Sequence, residues 1–193
     1  MTKGELIVVT GPAAAGKTTV AKALQARFAG AGELWLLIEL DAFGRSTPRD
    51  WMSLGEHRGR HAARGFAYER ATDGRLELNL GPDGRRVLAA FHRSVAAVVK
   101  SGVNVICETI VHDDDDWRDW SRSLRGIRVC WVKLSAPPAV LEAREKADRA
   151  PLFQGLARGM TARQPVGAFD VEADTSTEDA SAIVNRIAAA RDH

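Results

Sequence analysis

Gly11-Pro12-Ala13-Ala14-Ala15-Gly16-Lys17-Thr18 matches the spacing G-x-x-x-x-G-K-[ST] at every fixed position. Chemistry on a phosphate chain accounts for each residue type. Small residues let backbone N–H groups wrap phosphate oxygens, and Gly11 and Gly16 permit close approach and unusual dihedrals. Lys17 is a cation that reaches the β- and γ-phosphates, and the Thr18 hydroxyl is a ligand for Mg²⁺. Thr19 carries the run into a helix, whose positive dipole end adds to an anion site. The implied cofactors are ATP and Mg²⁺, with GTP left open.

Carboxylates form the second group of candidates. Asp41 and Glu108 each follow an apolar run. Ligands of open parallel sheets bind outside the carboxyl ends of the strands. Carboxylates there can accept a proton, bind an acceptor, or hold Mg²⁺ through water. The alternative for Asp41 is a helix cap, and for Glu108 a solvated strand end. His112-Asp113-Asp114-Asp115-Asp116 resembles a metal cluster. Adjacent acids cannot converge on one ion without strong bending, and acids before Trp117 suit a helix N-terminus. A solvated cap is expected, and substrate recognition, with His112 as its candidate, is the alternative. His57, His61 and His92 lack ligand spacing.

These residues need a scaffold that brings strand ends together. Leu6 to Val9, Trp35 to Leu40, Val103 to Cys107, Ile127 to Leu134 and Phe169 to Ala173 read as buried strands. Helices are expected over Gly16 to Phe28, Arg85 to Lys100, Trp117 to Leu124 and Pro137 to Ala147. A last helix is expected after Thr177 as cap, with Glu178 and Asp179 in its first turn. Leu76 to Leu80 alternates cleanly, and Gly81-Pro82-Asp83-Gly84 reads as a turn. Phe43 to about Leu76 is irregular and rich in arginine, and is expected to be a mobile or helical insert. Alternating apolar strands and helices imply an α/β fold with a mainly parallel five-stranded sheet flanked by helices, and the phosphate-loop motif at its first βα junction makes it of the P-loop NTPase kind. One domain is expected over residues 1–193.

Composition narrows the class. Hydrophobic residues at 45% and charged residues at 27% are ordinary globular values, which argues against global disorder. Two cysteines exclude a disulfide framework and suit a reducing compartment. A formal charge of +2 argues against a nucleic-acid partner. No apolar run spans a bilayer and no secretory signal is visible, so no membrane partner and a cytoplasmic location are expected. A homo-oligomer is left open.

Further along the chain stand Val105-Ile106-Cys107-Glu108, Leu141-Glu142-Ala143-Arg144-Glu145-Lys146-Ala147-Asp148-Arg149, Gly155-Leu156-Ala157-Arg158, Gln164 and Asp170-Val171-Glu172-Ala173-Asp174-Thr175. With the phosphate-binding loop and Asp41, this order resembles the chloramphenicol phosphotransferase-like family of small P-loop kinases. The resemblance is weakest between about residues 45 and 75. It implies that Asp41 is the general base on the acceptor hydroxyl. It also implies a helical lid over about 144–163, with Arg144 and Arg149 on the phosphates and Arg158 a weaker candidate. Asp174 and Thr175 would lie beside the purine, or simply cap the last helix. Lys17, Asp41 and Arg149 are then the catalytic set, Glu108 and His112 acceptor contacts with Asp41, and Thr18 the metal ligand. The expected activity is transfer of a phosphoryl group from ATP to a hydroxyl of a small molecule, an antibiotic being favoured. A kinase of a central metabolite and a slowly hydrolysing nucleotide switch are the alternatives.

Overall fold

The computed structural model describes residues 3–148, 150–161 and 167–191. Five strands form the main sheet: β1 (Leu6–Thr10), β2 (Trp35–Glu39), the strand Asn104–Glu108, the strand Val129–Ser135 and the strand Val171–Asp174. Between the second and third lie four further strands: β3 (Met52–Leu54), β4 (His57–Arg58), β5 (Phe66–Arg70) and β6 (Leu76–Leu80). The remaining main-sheet strands are therefore β7, β8 and β9. The helices are α1 (Lys17–Gly30), α2 (Leu40–Gly44), α3 (Pro82–Lys100), α4 (Asp114–Ser123), α5 (Pro138–Asp148), α6 (Leu156–Thr161) and α7 (Ala180–Arg191).

The main sheet has the order β2-β7-β1-β8-β9, and every pairing in it is parallel. The chain moves to one side of β1 for β2 and β7, then to the other for β8 and β9. The crevice at such a reversal is where open sheets bind ligands, and the glycine-rich loop leaves β1 there. Alternate residues of β1 feed two cores. Ile7 and Val9 pack with Val20, Leu24, Leu141 and Ile183, while Leu6 and Val8 pack with Phe91, Val95, Val99 and Trp120. Burial on both faces is why β1 reads as continuously apolar. Each such side chain contributes roughly 1.5–3 kcal/mol. β2 was expected to be buried, but it is an edge strand, and only Trp35 of it is buried. Among the described residues no helix is long and apolar enough to cross a membrane.

The arginine-rich stretch departs from expectation. Beyond the end of α2 and a 3-10 turn at Arg49–Trp51, it supplies strands of a second sheet, in the order β4-β3-β5-β6. Its strands β3 and β4 are only 3 and 2 residues long, too short for a period-2 pattern. β3 pairs with β5 in parallel across an intervening loop, which local sequence does not reveal. The expected turn at Gly81 to Gly84 is instead the start of α3, with Gly81 as N-cap and Pro82 in the first turn. A first-turn amide has no helical acceptor, so Pro costs nothing there. At the last helix Asp179, not Thr177, is the cap: its Oδ1 accepts from the Ala182 amide at 2.8 Å. The Thr177 hydroxyl donates to the Asp174 carbonyl at 3.2 Å.

Candidate active site

The loop from Gly11 to Gly16 joins β1 to α1 over the sheet's carboxyl edge. Gly11 has φ 145°, and a Cβ on it would come within 2.2 Å of the Leu134 carbonyl oxygen. No other residue fits there. Among the described residues Ala14, at φ 61°, is the only non-glycine with positive φ. Such a conformation costs about 1–3 kcal/mol, and strain of this kind gathers at ligand clamps. Gly16 is the N-cap of α1 and offers no side-chain cap. The amides of the first turn, Lys17 to Thr19, therefore lack helical acceptors and are available to an anion. Lys17 is 7% exposed and its Nζ donates to the Pro12 carbonyl at 2.8 Å. The ammonium thus lies folded over the loop that would hold the phosphates.

Glu108 ends β7, and its Oε1 accepts a hydrogen bond from the Thr18 hydroxyl at 3.0 Å. Burial pushes the Glu108 carboxyl above the ordinary glutamate value. Lys17 and the Thr18 hydroxyl oppose the shift, while Glu39 and Asp41 add to it. These five residues therefore share one electrostatic environment. In the β2–β7 ladder Glu39 is the register partner of Glu108, so both side chains rise from the same face of the sheet. Glu39 was missed in the sequence, although it is the first acid of the run after Trp35. Asp41 lies two residues beyond it, exposed in the first turn of α2, and the N-cap is Glu39. The capping alternative for Asp41 therefore fails. Among the described residues no group of three or more His, Cys, Asp or Glu could hold a metal. The Thr18 hydroxyl and Glu108 carboxylate are nonetheless hard oxygen donors of the kind Mg²⁺ takes when phosphates and water supply the rest.

Arg144, on α5, ties the loop to the turn after β9. Its Nη1 donates to the Thr175 hydroxyl at 2.8 Å and to the Ala14 carbonyl at 3.4 Å, and its Nη2 donates to the Thr175 carbonyl at 2.8 Å. Thr175 stands next to Gly16, its Cγ2 3.7 Å from where a Cβ would be. Asp174 instead accepts from the Ser176 amide and hydroxyl, which hold its pKa down. Arg158 pairs with Glu142 at 2.7 Å and donates to the Asp73 carbonyl. It joins α5 to the second sheet rather than reaching the loop. Arg149 lies outside the described residues.

Glu145 was not singled out in the sequence, because an acid inside a helix pattern reads as solvated. It is 2% exposed and accepts from the amides of Gly155 and Ala157, at 2.7 and 3.0 Å. It thus caps α6 from α5.

Asp113 caps α4 as expected, accepting from the Asp116 amide at 2.9 Å. Asp116 corrects the solvated reading of the run: it is buried, and its Oδ2 accepts from the His112 amide at 2.9 Å. His92 is also buried, with Nε2 3.2 Å from Asp116 and Nδ1 2.7 Å from Asp119. Burial pushes the His112 pKa down, against the pull of Asp116 and Asp113. His112 borders a small hollow with Leu76, Leu78 and Met160, on the side of the second sheet and α6.

Similar proteins extend the reading. The APS kinase of Mycobacterium tuberculosis in complex with AMPPNP and APS superposes with a TM-score of 0.70 at 14% identity, over 100% of both chains. A gluconokinase from Sinorhizobium meliloti 1021 gives 0.64 at 19%, covering 100% of this chain and 94% of that one. The tunicamycin resistance protein of Deinococcus radiodurans gives 0.61 at 17%, covering 97% and 95%. At these identities the likeness establishes the P-loop kinase fold. No protein of curated function matches the sequence significantly. The family model for chloramphenicol phosphotransferase-like protein matches residues 4–191. That span takes in the loop, both strand-end carboxylates and the Arg144–Thr175 contact, so the chain belongs to the chloramphenicol phosphotransferase-like family and is a small-molecule kinase.

Proposed function

We propose that this kinase transfers the γ-phosphoryl group of ATP, taken as its Mg²⁺ complex, to a hydroxyl of an antibiotic or similar secondary metabolite. The observation that carries the reading is the Thr18–Glu108 bond at 3.0 Å beside Lys17. It sets the phosphate-loop hydroxyl against a strand-end acid where bound phosphates would emerge. Lys17 exchanges the Pro12 carbonyl for phosphate oxygens, and Thr18 and Glu108 are the residues that would hold Mg²⁺, which would neutralise charge on the phosphate chain. The acceptor oxygen bonds to the γ-phosphorus as the bond to the β-phosphate oxygen breaks, and the hydroxyl proton goes to Asp41. Arg144 exchanges Thr175 for the nucleotide, and Arg149 meets charge on the transferring group. Asp174 and Thr175 flank the purine, and residues 144–163 act as the lid.

Family membership supports the antibiotic acceptor, as does likeness to a protein named for tunicamycin resistance. The likeness to a gluconokinase favours a sugar acid instead. Incubation with MgATP and a panel of hydroxylated antibiotics and sugar acids, read by mass spectrometry, tests the proposal. Gain of one phosphoryl group by an antibiotic is expected. Phosphorylation of sugar acids alone would move the enzyme to central metabolism.

A further inference from the structure

A cavity of about 650 Å³ lies between the second sheet and α3. Ligand pockets for drug-sized molecules are typically about 300–1,000 Å³ and mostly apolar. Phe43, Trp51, Phe66, Val87 and Ala90 supply apolar walls from four separate elements. Phe43 belongs to α2, two residues beyond Asp41, so the cavity begins on the element that carries the proposed base.

The charges of this cavity are unbalanced. Asp83 is the one acid among the described lining residues. It is already matched by Arg64 at 2.6 Å and Arg86 at 3.0 Å. Arg64 is further engaged over the Trp51 ring, 5.4 Å from its centroid. Arg93 also lines the cavity, on the same face of α3 as Arg86 at i+7. It has no hydrogen-bond or ion-pair partner among the described residues. An exposed guanidinium at the edge of an apolar cavity whose one lining acid is already doubly paired is set to receive an anion. Ser46 and Thr47 are the hydroxyl side chains among the described lining residues, few partners for a polyhydroxylated sugar, and a neutral apolar compound would leave Arg93 unused.

We infer that the cavity holds the non-reacting body of the acceptor and that Arg93 selects an acidic one. The acceptor is then a hydroxylated compound with a largely aromatic or alicyclic body and a carboxylate, sulfate or phosphate group. This rests on the kinase reading only in identifying the occupant as the phosphoryl acceptor. The preference of the cavity for charge is measurable without nucleotide.

Two dyes that differ in one sulfonate serve as probes: 1-anilinonaphthalene-8-sulfonate and the neutral N-phenyl-1-naphthylamine. Each is titrated by fluorescence into the full chain, with ATP affinity measured on the same preparation. The anionic dye should bind roughly tenfold tighter or more, the scale of a charge-assisted bond. Arg93→Ala should remove that preference while leaving the neutral dye's affinity unchanged, and Arg93→Lys should retain part of it. Ala90→Trp, which fills the cavity, should weaken both dyes. Equal affinities in the wild type, a preference that survives Arg93→Ala, or dye binding undiminished by Ala90→Trp would each overturn the inference. If ATP fails to bind while the dye preference holds, the kinase reading fails and the cavity assignment stands. If ATP binds and the preference is absent, the inference fails alone.

Discussion

The Thr18 hydroxyl donates to the Glu108 carboxylate across 3.0 Å, joining the first turn of α1 to the end of β7. Two elements far apart in sequence are thereby locked at the edge where the phosphate loop opens. The bond also sets a conflict between stability and function, because burial disfavours the charged carboxylate that a metal ion requires.

The conflict has a sign. Glu108 has a folded-state pKa above its unfolded value, so the folded state holds the proton more tightly. Stability from this group is fully present below the ordinary glutamate pKa of about 4.3. It is lost as pH rises from there through the raised folded value. Glu108→Gln, which stays neutral, should therefore raise Tm near pH 7 without nucleotide, and the gain should shrink below about pH 4. The same variant should weaken Mg²⁺-dependent nucleotide binding. Thermal unfolding across pH, with and without MgATP, checks both. A lower Tm at pH 7 would contradict the sign.

Lys17→Ala removes the cation nearest the loop. Transfer should fall by at least roughly 10²–10³-fold, the scale of losing one preorganised charge partner, and nucleotide affinity should weaken. Turnover and a nucleotide titration measure the two effects. Unchanged turnover would remove the phosphate-loop reading.

Asp41→Asn keeps size and most hydrogen bonding but cannot take a proton. With Asp41 as base, kcat should drop by about 10²–10⁴-fold, towards the smaller end because a loose transition state asks less of a base. Nucleotide affinity should stay within a few-fold. Glu39→Gln is the necessary companion, since Glu39 shares the sheet edge with Glu108. Near-wild-type transfer in the first variant and a large loss in the second would pass the role to Glu39. Single-turnover kinetics on both variants makes the comparison.

Arg144 bonds to Thr175 and Ala14 without ligand. If it exchanges these for nucleotide, Arg144→Ala should raise the ATP Kd by roughly tenfold or more. Arg144→Lys should recover part of the loss. Calorimetric titration with ATP reads this directly. A fall in Tm with an unchanged Kd would make Arg144 a structural tie only.

The sequence made the main sheet legible because its strands alternate with helices and β1 is apolar on both faces. The phosphate loop was legible because its chemistry admits few residue types. The second sheet was not, since β3 and β4 are too short for a pattern and the β3–β5 pairing is long-range. Glu39 is hidden in the sequence because Leu40 extends the apolar run past it to Asp41, whereas β2 ends at Glu39. Asp116 and Glu145 were hidden for a related reason. Both accept from backbone amides, which leave no mark in residue identity, and Asp116 also meets His92 from a different helix.

ADP formation measured with and without the acceptor found by mass spectrometry tests the central claim most directly. A kinase built on Lys17, Thr18 and Glu108 predicts little ADP alone, and one ADP per phosphorylated acceptor when the acceptor is present. An ADP rate indifferent to every acceptor, with no phosphorylated product, would contradict the account and leave a slowly hydrolysing nucleotide switch.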